Sequence, residues 1–372
     1  MKKILYIKPN IKFKTGGTKV NNQIYKMIKE IKDIEIVVKN DDYFWPNNSN
    51  IKSSFSSFVQ SFIFNFKYLS NISEIKQFDY ILVDSRLFPR LFIFIKFIKI
   101  NTDLKVISTH HHFYHLQQDS KIKESIYRLV EMDYLKNVDK ILTFSQYTYD
   151  IAIEKGIKKD KLSLNELGFN KKNINDINKT NKNFKKEILF IGSIEPRKGL
   201  EYLIRAIANL SSKKTHKNIK VNIVGEYNSN SDYYNKLLEL VDEFNLDKVV
   251  IFHGRLSNEK VNILKRKSLF FVFPSLYEGF GMVMAESMLY GLPVIAFNNS
   301  AIPYLVEDNY NGLLVKNKDI DDLSKKIKLL LNNSNLRGEL SKGALETANS
   351  LNSNNDFLLG VKKTLQDFIQ YK

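Results

Sequence analysis

The chain has 372 residues, 43% hydrophobic and 26% charged, a globular composition with length for two cores, which excludes wholesale disorder. It contains no cysteine, so disulfides, thiolate catalysis and Cys-ligated zinc or iron–sulfur sites are excluded. Lys and Arg outnumber Asp and Glu by 57 to 40, a net charge of +17, and the larger share of the excess falls in residues 1–180. Such a field favours nucleic acid, an anionic membrane face or phosphorylated small molecules; the competing account is a Lys- and Asn-rich habit of the whole chain.

The opening MKKILYIKPN runs into Lys8 and Pro9 without an apolar signal core, so it reads as a first strand over 3–7. A Thr-Gly-Gly turn at 15–17 leads into a helix to about Lys32. Apolar, β-branched runs follow at 34–38, 80–84, 105–109 and 140–144, with amphipathic stretches such as Ile122–Lys136 between them. The most apolar stretch, Leu87–Ile100, is broken by Arg90, Lys96 and Lys99 and falls short of the ~18 uninterrupted apolar residues of a spanning helix. The run NKKNINDINKTNKNFKK (170–186) has too few apolar residues to form core and reads as a linker. The pattern then restarts, with strands at 187–193, 220–226, 248–254, 269–275 and 293–297, helices from Leu200 and over 233–244, and a final amphipathic helix over Asn354–Tyr371. Alternation of this kind predicts βαβ units and parallel sheets. The expected organisation is an α/β domain over 1–170, a linker over 171–186, a second α/β domain over 187–353, and a terminal helix over 354–372.

Ligands of open α/β sheets bind beyond the carboxyl ends of the strands, which directs attention to two loops. In PSLYEGFGMVMAESMLYGLPVIAF (274–297) a strand ends at Pro274, the loop supplies Glu278, Gly279, Phe280 and Gly281, and a helix opens at about Met282. Glycines let backbone approach a ligand, and helix-start N–H groups attract phosphate or sugar oxygens. Glu286 falls on the first turns of that helix, where a carboxylate can accept from a vicinal diol such as ribose. Read without function, the same residues favour a helix start and turn the chain. In ILFIGSIEPRKGLEYLIRAI (188–207) a strand ends in Gly192 and a turn carries Arg197 and Lys198; two cations there suit a diphosphate or an ordinary solvated turn. No GxxxxGK[ST] pattern, and no GxGxxG after the first strand, is present.

These segments resemble the retaining group 1 (GT4-like) glycosyltransferases of GT-B fold. The resemblance is carried by Pro274-Ser275, Glu278-Gly279-Phe280-Gly281, Glu286, Gly291 and Pro293-Val294-Ile295-Ala296, by the turn Gly192–Gly199, and by Asn311-Gly-Leu-Leu-Val315. It covers about 187–332 densely, and the first half only through fold and a Gly-Gly turn. It implies two Rossmann-like parallel-sheet domains facing a cleft, the second binding a nucleotide-diphosphate sugar. Lys198 with Arg197 would neutralise the diphosphate, and Glu286 would hold the ribose. Glu278 and the backbone of Phe280, Gly281 and Met282 would grip the sugar. Gly16 and Gly17, with Gly192 and Ser193, would let the donor phosphates approach, and His110 or His111 would face the donor sugar. The family keeps the anomeric configuration and needs no bound metal or other cofactor. Two departures stand out: Ser193 occupies a position where relatives often carry Arg, and Asn299-Ser300-Ala301 with Tyr304 replaces a glycine-rich turn and Glu.

HHHFYH (110–115) invites a zinc reading, but no HExxH glutamate accompanies it and only Asp119 lies adjacent. Asp319-Ile320-Asp321 superficially matches a D-x-D metal motif and reads as a helix cap. Arg86, Arg90, Lys96 and Lys99 thread an apolar run that suits either a membrane interface or a buried helix with a basic rim. The resulting expectation is a cytoplasmic transferase, free or peripheral at the inner face of the cell membrane, acting on a glycan or lipid-linked acceptor in polysaccharide or glycoconjugate synthesis. The alternatives are a non-catalytic nucleotide-sugar-binding subunit and a basic nucleic-acid-binding protein; against the latter, no recognition motif is found.

Overall fold

The computed structural model describes residues 1–9, 16–40, 72–118, 120–171, 186–211 and 219–370. All but the end residues of the expected 171–186 linker, and Asp119, lie outside the described residues. Residues 1–168 and 354–372 form one compact unit, and residues 169–353 another.

In the first unit, strands β1 (Lys2–Lys8), β2 (Ile34–Asn40), β3 (Tyr80–Asp84), β4 (Lys105–His110), β5 (Lys140–Thr143) and β6 (Leu162–Leu164) form one sheet in the order β2-β1-β3-β4-β5-β6. Every neighbouring pair is parallel. Parallel strands are covered on both faces, which explains why these segments are continuous apolar runs rather than alternating ones. Ile4–Ile7 and Tyr80–Asp84 are buried throughout, at about 1.5–3 kcal/mol for each large apolar side chain.

Helix α1 (Gly16–Lys29) follows β1 and ends short of Lys32. The apolar run expected at 87–100 forms α2 (Phe88–Asn101), with Pro89 in its first turn, where a missing N–H costs nothing. Leu91, Phe94, Ile95 and Ile98 are buried at i, i+3, i+4 and i+7. Lys96 pairs with Asp133 at 3.3 Å and Lys99 with Asp139 at 2.8 Å. The run is thus a core helix with a paired basic rim. Helix α3 (Lys121–Asn137) packs beside it, and α4 (Gln146–Glu154) is capped by Ser145, whose hydroxyl accepts from the Thr148 N–H at 3.1 Å. The terminal helix, Asn354–Gln370, belongs to this unit. It buries Phe357, Val361 and Leu365, and its Ile369 carbonyl accepts from the Tyr80 hydroxyl at 3.2 Å.

In the second unit, strands β7 (Lys186–Ile191), β8 (Ile219–Val224), β9 (Val250–Phe252), β10 (Phe270–Phe273), β11 (Val294–Phe297) and β12 (Gly312–Val315) form a parallel sheet in the order β9-β8-β7-β10-β11-β12. This is the doubly wound Rossmann arrangement, and its order reverses between β7 and β10. In the first unit the corresponding reversal falls between β1 and β3. Each reversal opens a crevice beyond the strand carboxyl ends. Asp319 caps the helix Ile320–Asn332, its carboxylate accepting from the Asp322 N–H at 2.9 Å. No described helix is long and apolar enough to cross a membrane.

Candidate active site

The crevice of the second sheet is built from the loops after β7 and β10. After β7 the chain makes a short 3-10 turn at Pro196–Lys198 and exits through Gly199 at φ +67°. A Cβ on Gly199 would lie 2.0 Å from the Pro274 carbonyl oxygen, so this position needs glycine for both conformation and approach. The close passage locks the two loops together: the Leu276 N–H donates to the Arg197 carbonyl at 2.8 Å.

That contact places Arg197 and Lys198 against Glu278. Glu278 Oε1 accepts from Lys198 Nζ at 2.5 Å, from the Ser275 hydroxyl at 2.6 Å and from Arg197 Nη1 at 3.3 Å. Arg197 also donates to the Tyr277 carbonyl and to Glu195, both at 2.7 Å. The Lys198 ammonium lies 5.0 Å from the centre of the Phe273 ring, an attractive position over a π face. Burial by itself raises the Glu278 pKa, but Lys198 and Arg197 outweigh it and hold the carboxyl below the usual range. Burial lowers the Lys198 pKa while Glu278 opposes it. Two cations and a carboxylate are therefore fixed where the sheet order reverses.

The residues expected to depart from the family pattern hold this loop. The Glu278 N–H donates to the Ser300 hydroxyl at 2.9 Å, which donates to Asn299 Oδ1 at 2.8 Å. The Asn299 amide in turn donates to the Ser275 carbonyl and to Asn317 Oδ1, each at 3.0 Å. Sequence reading missed these roles because the two bonds that reach the Ser275–Glu278 loop span 22 and 24 residues and follow no period.

Helix Met282–Met288 has seven residues and begins after Gly281 at φ +89°. Glu286 is partly exposed, and Lys265, a buried lysine from helix Asn258–Lys267, lies 3.5 Å from it. The ammonium also sits 5.3 Å from the Tyr290 ring centre. Lys265 gave no sequence signal; its i, i+3 neighbourhood reads as an ordinary basic helix end. Phe280 stacks on Phe169 at 5.7 Å. Gly192 packs under Phe190 and Phe273, its N–H bonded to the Val224 carbonyl at 2.9 Å, and Ser193 is exposed.

The first sheet has its own cluster at its own reversal. Gly16 and Gly17 open α1, and the His111 ring lies against Gly17, within 3.5 Å of where a Cβ would stand. His111 Nε2 bonds Asn21 Oδ1 at 2.9 Å, and its backbone carbonyl accepts from Thr148 at 3.2 Å. His110 is elsewhere. It is 1% exposed, beside Phe113 and 4.0 Å from Glu131, and neither ring nitrogen has a hydrogen-bond partner. His115 Nδ1 bonds the buried Glu131 at 2.8 Å. Burial pushes the His110 and His111 pKa values down to about 4. The HHHFYH segment thus scatters its rings, and among the described residues no group of three or more His, Cys, Asp or Glu is placed to hold a metal. Arg86, expected on the basic rim, instead pairs with the fully buried Asp84.

Residues 171–347 match the family model described as glycosyl transferases group 1. That stretch, just under half of the chain, is similar to the group 1 glycosyltransferases. The matched range contains every residue of the Lys198–Arg197–Glu278 cluster. An uncharacterized glycosyltransferase of Methanocaldococcus jannaschii is 32% identical over 231 residues, 62% of this chain and 60% of that protein; the similarity therefore spans less than two thirds of that relative. Among solved structures, sucrose-phosphate synthase from Thermosynechococcus elongatus superposes with a TM-score of 0.78 at 18% identity, covering all of both chains. Anabaena HepE in complex with UDP superposes with a TM-score of 0.73 at 17% identity, covering 99% of this chain and all of that one. The group 1 match thus sits in a chain of GT-B fold.

Proposed function

We propose that the chain is a glycosyltransferase that moves a sugar, with retention, from a nucleoside-diphosphate donor to a glycan or lipid-linked acceptor in polysaccharide or glycoconjugate synthesis. The observation that carries this reading is the Lys198–Arg197–Glu278 cluster at the β7/β10 reversal, inside the group 1 match. A diphosphate leaving group gathers charge as the anomeric bond breaks, and preorganised cations stabilise that charge without a metal. Lys198 and Arg197 are the groups for that role, and an arriving diphosphate competes with Glu278 and Glu195 for them. Glu278, kept ionised, and the backbone of Phe280, Gly281 and Met282 grip the donor sugar. Glu286, braced by Lys265, accepts from the ribose hydroxyls. Gly16, Gly17, Gly192 and Ser193 give the phosphates and sugar room. Of the two histidine candidates His111 is favoured, because His110 is enclosed at 1% exposure between Phe113 and the buried Glu131. In the reaction the acceptor oxygen bonds the anomeric carbon on the face from which the diphosphate leaves, and its proton passes to the departing phosphate oxygen.

A hydrolysis screen across UDP-, GDP- and ADP-sugars in excess EDTA tests this reading. One donor is expected to turn over with chelator present, and Glu286→Ala is expected to weaken its binding by about 1.5–3 kcal/mol, the worth of a charged hydrogen bond. Tight nucleotide-sugar binding without turnover on any acceptor would make the chain the non-catalytic subunit instead.

The same reading places the first unit against an anionic membrane face. Ile122 and Leu129 are 74% and 69% exposed on α3, beside the exposed Lys121, Lys123 and Arg128. Each basic residue near an anionic leaflet adds about 1 kcal/mol. Sedimentation with anionic vesicles at low salt, reversed at high salt and weakened by Ile122→Ser/Leu129→Ser, is the expected result; equal absence from anionic and neutral pellets removes the membrane contact and leaves the transferase reading intact.

A further inference from the structure

The reversal of the first sheet contains, behind His111, a hydrogen-bonded chain of Asn21, Asp84 and Arg86 that the transferase reading leaves unused. Asp84 ends β3, fully buried, and accepts from Asn21 Nδ2 at 2.7 Å, from the Arg86 backbone N–H at 3.1 Å and from Arg86 Nε at 2.9 Å, with a further contact to Arg86 Nη2. Burial alone would raise its pKa, but Arg86 overrides this and holds the carboxyl below its ordinary range. Arg86 Nη1 also donates to the Thr18 hydroxyl at 2.9 Å, which ties the pair to the first turn of α1.

An ionised carboxylate only accepts hydrogen bonds. Asn21 is 2% exposed and must therefore turn its NH₂ toward Asp84, which leaves its carbonyl oxygen toward His111 Nε2 at 2.9 Å. A carbonyl oxygen also only accepts, so the ring nitrogen in that bond carries the hydrogen. We propose that Asn21 is a positioning residue that, oriented by Asp84, locks His111 as the neutral Nε2–H tautomer, so that Nδ1 offers a lone pair and the ligand group His111 takes is a hydroxyl hydrogen rather than a phosphate oxygen. The tautomer follows from the bonding alone; that the hydroxyl belongs to a sugar rests on the transferase reading.

His115 supplies an internal contrast. Its Nδ1 lies 2.8 Å from Glu131 Oε2, and that carboxylate already accepts from the Tyr114 and His115 backbone N–H groups at 2.9 and 3.1 Å. His115 is therefore held in the opposite, Nδ1–H form. Two histidines four residues apart carry their hydrogens on opposite nitrogens, because the acceptors that orient them stand on different sides.

Long-range proton–nitrogen correlation spectra of the 15N-labelled full chain at pH 7, with His111→Gln and His115→Gln assigning the signals, read both tautomers directly. For His111 the expected pattern is a protonated Nε2 with a slowly exchanging hydrogen and an unprotonated Nδ1. In Asn21→Leu the protection is expected to vanish and both nitrogens to show mixed character, with donor turnover falling about tenfold, the scale of one lost hydrogen bond. An Nδ1–H tautomer in the parent chain overturns the proposal, and that measurement stands even where Asn21→Leu does not fold. A protected Nε2–H that persists in Asn21→Leu overturns it as well. Tautomer loss with unchanged turnover removes the hydroxyl assignment, whereas absence of turnover with every nucleotide sugar in the parent chain strikes the transferase reading and not the tautomer lock.

Discussion

Lys198→Met is expected to cut donor turnover by about 10²–10³-fold, the scale on which one preorganised electrostatic group contributes, and to lower the melting temperature as well. The second effect follows from Glu278, whose carboxylate is 10% exposed and would lose its shortest donor, at 2.5 Å. Removing one partner of a buried ion pair costs about 3–5 kcal/mol, because the other charge remains desolvated, whereas replacing both with apolar groups is often neutral. The double variant Lys198→Met/Glu278→Leu is accordingly expected to recover much of the stability and none of the turnover. Thermal denaturation and steady-state hydrolysis separate the two effects. The acid limb adds a third readout. With its folded pKa depressed, the Glu278 carboxyl contributes its full stabilisation above an unfolded value of about 4.3 and loses it as pH falls through the lower folded value. Without Lys198 that depression shrinks, and acid unfolding is expected to begin at higher pH. Turnover within about threefold of the parent would strip the cluster of its diphosphate role.

Gly225→Ala is expected to be the most damaging single methyl in the second unit. A Cβ there would lie 1.7 Å from the Gly192 carbonyl oxygen and 2.7 Å from its carbon. Overpacking of flexible side chains costs about 1–3 kcal/mol, but here both obstacles are backbone atoms that head the loop carrying Arg197 and Lys198. The Gly225 N–H is also engaged, at 3.0 Å to the Gly254 carbonyl, so the loop cannot swing away without losing a bond. Loss of soluble protein, or a melting-temperature drop with loss of nucleotide binding, is the expected outcome. Gly338→Ala is the matched control. It lies inside helix Ser334–Ser350 with nothing within 4 Å of its added methyl, and it is expected to stabilise by about 0.4–1 kcal/mol. Equal behaviour of the two variants would show that the close β7–β8 loop approach does not constrain the unit.

Both effects rest on features of different legibility. The fold class could be read directly, because a parallel strand covered on both faces leaves a short unbroken apolar run, as at Ile4–Ile7 and Phe270–Phe273, and the helices between leave a 3.6-residue period. The Arg197-Lys198-Gly199 turn and the Glu278–Gly281 loop were visible as glycines and charges at strand ends, but each also suited an ordinary turn, and only the family resemblance set the functional reading above it. Helix ends were less so: α1 stops at Lys29 because Asp33 turns the chain at φ +66° into β2, a conformation that no periodicity announces. The run at 87–100 supported two accounts until Asp133 and Asp139 were seen opposite Lys96 and Lys99. Composition counts charges but does not pair them.

What the amino-acid order determined by itself is the alternation that makes two doubly wound sheets, and the motif that names the family of residues 171–347. What only the tertiary structure decided is which side chains meet. Lys198 and Glu278 lie 80 residues apart, and Asn21 and Asp84 lie 63 apart, with His111 90 residues from Asn21. Each set converges because a parallel sheet delivers all its strand ends to one edge. The opposite placement of the His110 and His111 rings was of the same kind. Adjacent residues at a strand end point to opposite faces, so one ring enters the apolar core beside Phe113 and the other turns toward Gly17. Local sequence records that a strand ends there; the handedness and order of the sheet determine what waits on either side.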